Sequence, residues 1–166
     1  MSDQELKQAL EGAMKNRALM YYHIYQEASR EVGPEKAAGI LKRAIYNRGL
    51  EIGKLLAGHG PDDLEGLKEA FLEKVVPHDG SMFAPEIIAC GPEGLDIKFH
   101  RCPLKAAYLE AGLSEAETAR MLEIAAQVDY GTFEGAGFSF SAETWRPGRE
   151  GCCLLHVRPG PPSEGS

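Results

Sequence analysis

The sequence lacks most of the features that would settle a function at sight. No apolar run approaches the length of a membrane span. The opening residues, Met1-Ser2-Asp3-Gln4-Glu5, lack the basic-then-apolar layout of a secretory signal. There is no phosphate-binding loop, no GxGxxG dinucleotide fingerprint and no GxSxG serine elbow. No cofactor is expected on these grounds. Cysteine is scarce: Cys90, Cys102, Cys152 and Cys153 show no CxxC pair and no zinc-finger spacing. They read as reduced thiols of a cytoplasmic protein. Positive charge is outnumbered, with 18 Lys and Arg against 25 Asp and Glu and a net charge of −7. That disfavours nucleic acid or an anionic membrane as the main partner and leaves a small molecule as the expected one. No internal repeat is present, and no linker is long enough to divide the chain.

What is present suits a folded domain of 166 residues, 43% hydrophobic and 26% charged. Ser2 and Glu5 fit a capping box that opens a long helix. Its apolar stripe is Leu6, Leu10, Met14, Tyr21, Ile24, Ala28 and Val32, and Gly33-Pro34 ends it. A second helix spans about residues 35–57, with Gly49 and Gly53 leaving one face bare, for close backbone packing or else room for a ligand. Asp62 or Asp63 caps a third helix. Residues 86–90 and 95–101 then read as a hairpin about Gly91-Pro92-Glu93-Gly94. A short helix follows Pro103, and a second capping box, Ser114 and Glu117, opens a helix to Val128, ended by Asp129-Tyr130-Gly131. Residues 138–145 and 152–157 are the last strands. The expected fold is a single α+β domain over residues 1–158. An antiparallel sheet of about four strands packs with about five helices, and the N-terminal half is helical. Residues 159–166, rich in Pro, Gly and Ser, read as a disordered tail. The apolar helix stripes could bury against the sheet or against a second subunit, so a homo-oligomer stays open.

The chemistry centres on Phe99-His100-Arg101-Cys102-Pro103-Leu104. Proline is favoured at the first position of a helix, which puts Cys102 at the N-cap. Free N–H groups and the helix dipole favour a thiolate there. The plain alternative is a small inert thiol at a strand end. Strand parity places Cys152 with His156 on one face and Cys153 with Leu155 and Val157 on the core face. If the two strands are neighbours, Cys102, His100, Cys152 and His156 converge as a Cys/His nucleophile site. A metal on the same atoms lacks supporting spacing, so none is expected. Asp129 at a helix C-terminus opposes the dipole, which hints at binding a cationic group, with a solvated loop residue as the alternative. Glu134 is a weaker candidate of the same kind. Arg101, Lys98 and Lys105 could pair a substrate carboxylate.

The ordered set Tyr21-Tyr22-His23-Ile24-Tyr25, Ala44-Ile45-Tyr46-Asn47-Arg48-Gly49, Arg101-Cys102-Pro103-Leu104, Asp129-Tyr130-Gly131 and Gly151-Cys152-Cys153 resembles the bacterial 2-amino-thiazoline-4-carboxylate hydrolase family. The resemblance spans roughly residues 18–157. It implies hydrolytic ring opening of a small cyclic amidine toward a carbamoyl-cysteine. It carries over Cys102, Asp129 and one of Cys152 and Cys153, without saying which. On this reading Cys102 attacks the carbon between sulfur and nitrogen, or His100 or His156 activates a water there. Arg101 takes the carboxylate, Asp129 or Glu134 the amidine nitrogens, and Tyr130, Cys152 and Cys153 line the substrate. The second reading, from another class, is a non-catalytic small-molecule-binding domain related to vinyl-reductase-like ligand-binding domains. A metal or cluster protein is the third.

Overall fold

The computed structural model describes residues 1–161. Residues 162–166 of the expected tail lie outside the described residues. Within them, six α-helices and four strands follow in the order α1 (Asp3–Val32), α2 (Pro34–Gly53), α3 (Leu64–Lys74), β1 (Pro85–Gly91), β2 (Gly94–Phe99), α4 (Pro103–Glu110), α5 (Glu115–Ala125), α6 (Gln127–Gly135), β3 (Ser139–Glu143) and β4 (Leu154–Arg158). The fold is α+β, and the sheet is antiparallel in the order β1-β2-β4-β3. No helix among the described residues is long and apolar enough to cross a membrane.

Local signals set the helix ends. Both capping boxes form, Ser2 with Glu5 and Ser114 with Glu117, each satisfying otherwise orphaned N–H groups. Asp63 caps α3 by accepting from Gly66 N–H. Cys102 is the N-cap of α4, with Pro103 leading the helix. Strand parity then sorts the sheet. Leu95, Ile97, Leu155 and Val157 point inward and are fully buried, while Asp96, Lys98 and His156 point to the other face. Helices cover the inner face. Phe133 of α6 packs 4.9 Å from Phe140 and 5.0 Å from Phe71, which joins α6, α3 and the sheet in one aromatic core.

Four features differ from the sequence reading. The helix expected to stop at Asp129 does not end there. The chain breaks at Ala126 and starts α6, so Asp129 lies in the first turn of a new helix, where the dipole favours it. Gly131, read as part of a stop, is a contact surface instead, and it meets Gly49 on the α2 face expected to pack closely. A Cβ on Gly131 would lie 2.1 Å from Tyr46 O, and one on Gly49 would lie 2.3 Å from Val128 O. A Cβ on Gly53 would lie 2.5 Å from Thr132 O and one on Gly135 3.1 Å from Leu50 O, so the bare face of α2 is a close-packing face for α6. The α1 stripe is only partly covered: Ala18 is fully buried, while Leu6, Ile24 and Val32 stay exposed. The chain also stays packed beyond the expected start of the tail, because Gly160 N–H donates to Pro61 O at 2.8 Å.

Candidate functional site

An apolar-walled cavity of about 150 Å³ lies between α1, α3, α5, α6 and the end of the sheet. Its polar lining is Cys102, Cys152, Cys153, Asp129, Thr132 and Arg17. Each reaches it for a local reason. Strand β2 stops at Phe99, and the chain turns through His100 and Arg101 before Pro103 starts α4, so Cys102 faces the cavity from the helix start. Cys152 precedes β4. Its N–H donates to Phe99 O, and Cys153 O accepts from Phe99 N–H, which pins both residues beside the end of β2. Lys105 holds the loop before them. Its ammonium donates to Gly151 O at 2.9 Å and sits 4.6 Å above the buried Trp145 ring. Asp129 and Thr132 come from the first turns of α6, one turn apart in sequence and on one face. Thr132 spends its hydroxyl on Val128 O, which leaves Asp129 as the titratable group of that wall.

The electrostatics separate the thiols from the carboxyl. The Cys152 thiol beside it holds the Cys102 thiol below its ordinary range, helped by the backbone N–H groups of Lys105 and Leu104. Burial and the Asp129 charge work the other way but do not prevail. Cys152 is pushed up by Cys102 first and Cys153 second, so the negative charge of the pair sits on Cys102 at the helix start. Cys152 Sγ lies 3.2 Å from Cys153 Sγ. Burial pushes Asp129 up to about 7, with the Arg17 guanidinium pulling the other way. The cavity therefore joins a thiol biased toward its anion with a carboxyl that holds a proton near neutrality.

The other candidates lie elsewhere. His100 is exposed and pairs with Glu86 at 2.5 Å. His156 points to the outer face of the sheet, 2.7 Å from Asp96 and 2.8 Å from Glu143. The structure thus brings Cys102 and Cys152 to the cavity without either histidine, and His100 shares with Cys102 only a separate surface cleft. Arg101 donates to Ser81 O outside the cavity, Glu134 accepts from the Tyr46 hydroxyl at 2.6 Å, and the Tyr130 hydroxyl accepts from Ala142 N–H. Parity misassigns the paired cysteines because β4 begins only at Leu154. Cys152 is buried, and both residues line the cavity. Sequence reasoning misses Arg17. Its signal was a gap in the α1 stripe: a step of three from Met14 lands on Arg17, beside the packed Ala18. Among the described residues, no group of three or more His, Cys, Asp or Glu side chains is arranged to hold a metal ion.

The chain matches no curated protein. A family model described as L-2-amino-thiazoline-4-carboxylic acid hydrolase matches residues 13–157, a span that runs from the first cavity residues of α1 to the end of the sheet. With nearly the whole fold inside that match, the chain belongs to the L-2-amino-thiazoline-4-carboxylic acid hydrolase family.

Proposed function

We propose that this protein opens the ring of 2-amino-thiazoline-4-carboxylate, or of a closely related small cyclic amidine, with Cys102 as nucleophile. The observation that carries the reading is the shared cavity. A thiol at a helix start faces a proton-bearing Asp129, with Arg17 beside them and apolar walls around. Cys102 Sγ attacks the carbon between ring sulfur and ring nitrogen, while Asp129 gives its proton to the ring nitrogen. The carbon–sulfur bond of the ring then breaks. The ring sulfur leaves with a proton from the amino group, and an isothiourea remains on Cys102. Water attacks the same carbon and gives a proton to Asp129. Cys102 departs as thiolate, and the product is a urea with a free thiol. One water is consumed, and both side chains regain their starting states. Arg17 holds the substrate carboxylate in the place expected for Arg101. The histidines take no part, since both are paired away from the cavity.

The test is turnover of 2-amino-thiazoline-4-carboxylate by the purified protein beside Cys102→Ala. Ring opening by the wild type with a loss of about a thousandfold or more in the variant is the expected result. Full turnover by Cys102→Ala removes Cys102 from the chemistry. A wild type that binds the compound and leaves it intact makes the protein a binding domain of the same fold.

A further inference from the structure

Cys102 has two environments. Its side chain lines the inner cavity, and it also lines a separate surface cleft of about 260 Å³ with Arg101, Lys105 and Gly151. The cleft brings solvent to the Cys102 residue from outside, apart from the substrate cavity. On the cavity side Cys102 shares its lining with Cys152, which is buried and held in place by the Phe99 backbone pairing. Cys153 stands 3.2 Å behind Cys152. All three are free thiols. We propose that Cys102 and Cys152 form a peroxide-responsive thiol pair, in which Cys102 is the residue oxidised and Cys152 the residue that closes the disulfide.

The chemistry balances with hydrogen peroxide as the only added reagent. The Cys102 thiolate attacks one peroxide oxygen: an S–O bond forms, the O–O bond breaks and hydroxide leaves. The sulfur is oxidised to a sulfenic acid, and the peroxide is reduced. Cys152 then attacks the Cys102 sulfur. The S–S bond forms, the S–O bond breaks, and the hydroxyl departs as water with the Cys152 proton. The cross-link removes the thiolate that ring opening requires, so oxidation and catalysis exclude one another. Cys90 supplies the contrast within the same chain. Burial first, and then the Glu65 carboxylate 3.2 Å from its thiol, disfavour its anion.

The experiment treats the full-length protein with equimolar hydrogen peroxide, alkylates the remaining thiols and maps the peptides by mass spectrometry. The expected result is loss of two of the four thiols, a Cys102–Cys152 linked peptide that a thiol reductant reverses, and an unreacted Cys90. Cys152→Ser should abolish the link and leave a Cys102 sulfenic acid that dimedone traps. A Cys152–Cys153 bond with Cys102 free, or conversion of Cys102 to sulfinic acid with no link, overturns the proposal. So does a link from Cys102 to Cys153 that forms as fast in the variant. The readout is the thiol bond rather than turnover, so a chain that cross-links and opens no ring sinks the hydrolase reading alone.

Discussion

At the scale of single residues, the cavity pairs a thiol that gives up its proton easily with a carboxyl that keeps one. The two groups then set opposite limbs of a pH profile. On the proposed mechanism ring opening draws on the Cys102 anion, so kcat/KM should rise as pH passes the lowered thiol value. The same mechanism draws on the Asp129 proton, so kcat/KM should fall as pH passes about 7. Asp129→Asn should lower kcat by about 100-fold or more and remove the alkaline limb. The same substitution should stabilise the fold. A folded value raised to about 7 means the native state holds a proton that the unfolded chain has released, so stability declines as pH rises from about 4 to about 7. An uncharged Asn escapes that decline, a gain of up to about 4 kcal/mol at pH 8 that urea denaturation would register. Equal stability of the two proteins at pH 8 would contradict a buried, proton-holding Asp129. Arg17→Met should raise KM by about 10- to 100-fold with kcat less affected, since a charge-assisted pair to the substrate carboxylate is uniform binding. An unchanged KM would return the anchoring role to another cation. Cys102 was legible in the sequence because a Cys-Pro junction is a local signal, whereas Asp129 was singled out at a supposed helix end that is in fact the first turn of α6. Arg17 was not legible, because only the approach of α1 to α6 and the sheet gives it a cavity to face.

At the scale of elements, the fold depends on the bare contact between α2 and α6. Glycine weakens an isolated helix by roughly 1 kcal/mol relative to alanine, which is why Asp129-Tyr130-Gly131 reads as a helix end. Tertiary contact overrides that cost: Gly49 and Gly53 on one side and Gly131 and Gly135 on the other let the backbones touch, and α6 forms against α2. The contact also aims Asp129 and Thr132 into the cavity, so helix packing and site geometry are one feature. Gly131→Ala should destabilise the protein by about 3 kcal/mol or more, because its Cβ would meet the Tyr46 carbonyl rather than a side chain able to move. Gly12→Ala, in open space on α1, should instead stabilise by about 0.5–1 kcal/mol. Chemical denaturation of both variants checks the pair, and a mild effect at Gly131 would mean that α6 can shift away from α2. The caps, the hairpin and the last two strands were readable from short-range chemistry. The strand order and α6 were not, because both are decided by which surfaces meet across long stretches of chain.

At the scale of the whole molecule, the sheet separates two kinds of polar group. The inner face, through α6 and the end of β2, borders the cavity, while the outer face carries an ionic cluster. There His156 lies between Asp96 and Glu143, and Arg158 donates to Asp96 at 2.8 Å. The cluster crosses β2, β4 and β3, so it fastens three of the four strands. Glu143 raises the His156 value first, with Asp96 adding to it against burial. Burial alone would raise Asp96, but Arg158 and His156 outweigh it and hold that carboxyl low, and His156 does the same for Glu143. The histidine contribution is therefore complete below its ordinary value near 6.5 and fades as pH climbs through the raised folded value. The carboxylate contribution runs the other way, present above about 4 and lost as pH falls through the depressed folded values. His156→Asn should then cost about 1 kcal/mol near pH 6 and clearly less near pH 9, with ring opening unaffected because the cluster faces away from the cavity. Urea midpoints at the two pH values measure the difference. An equal cost at both would reduce His156 to a packing residue, and a loss of turnover would bring the outer face of the sheet back into the chemistry.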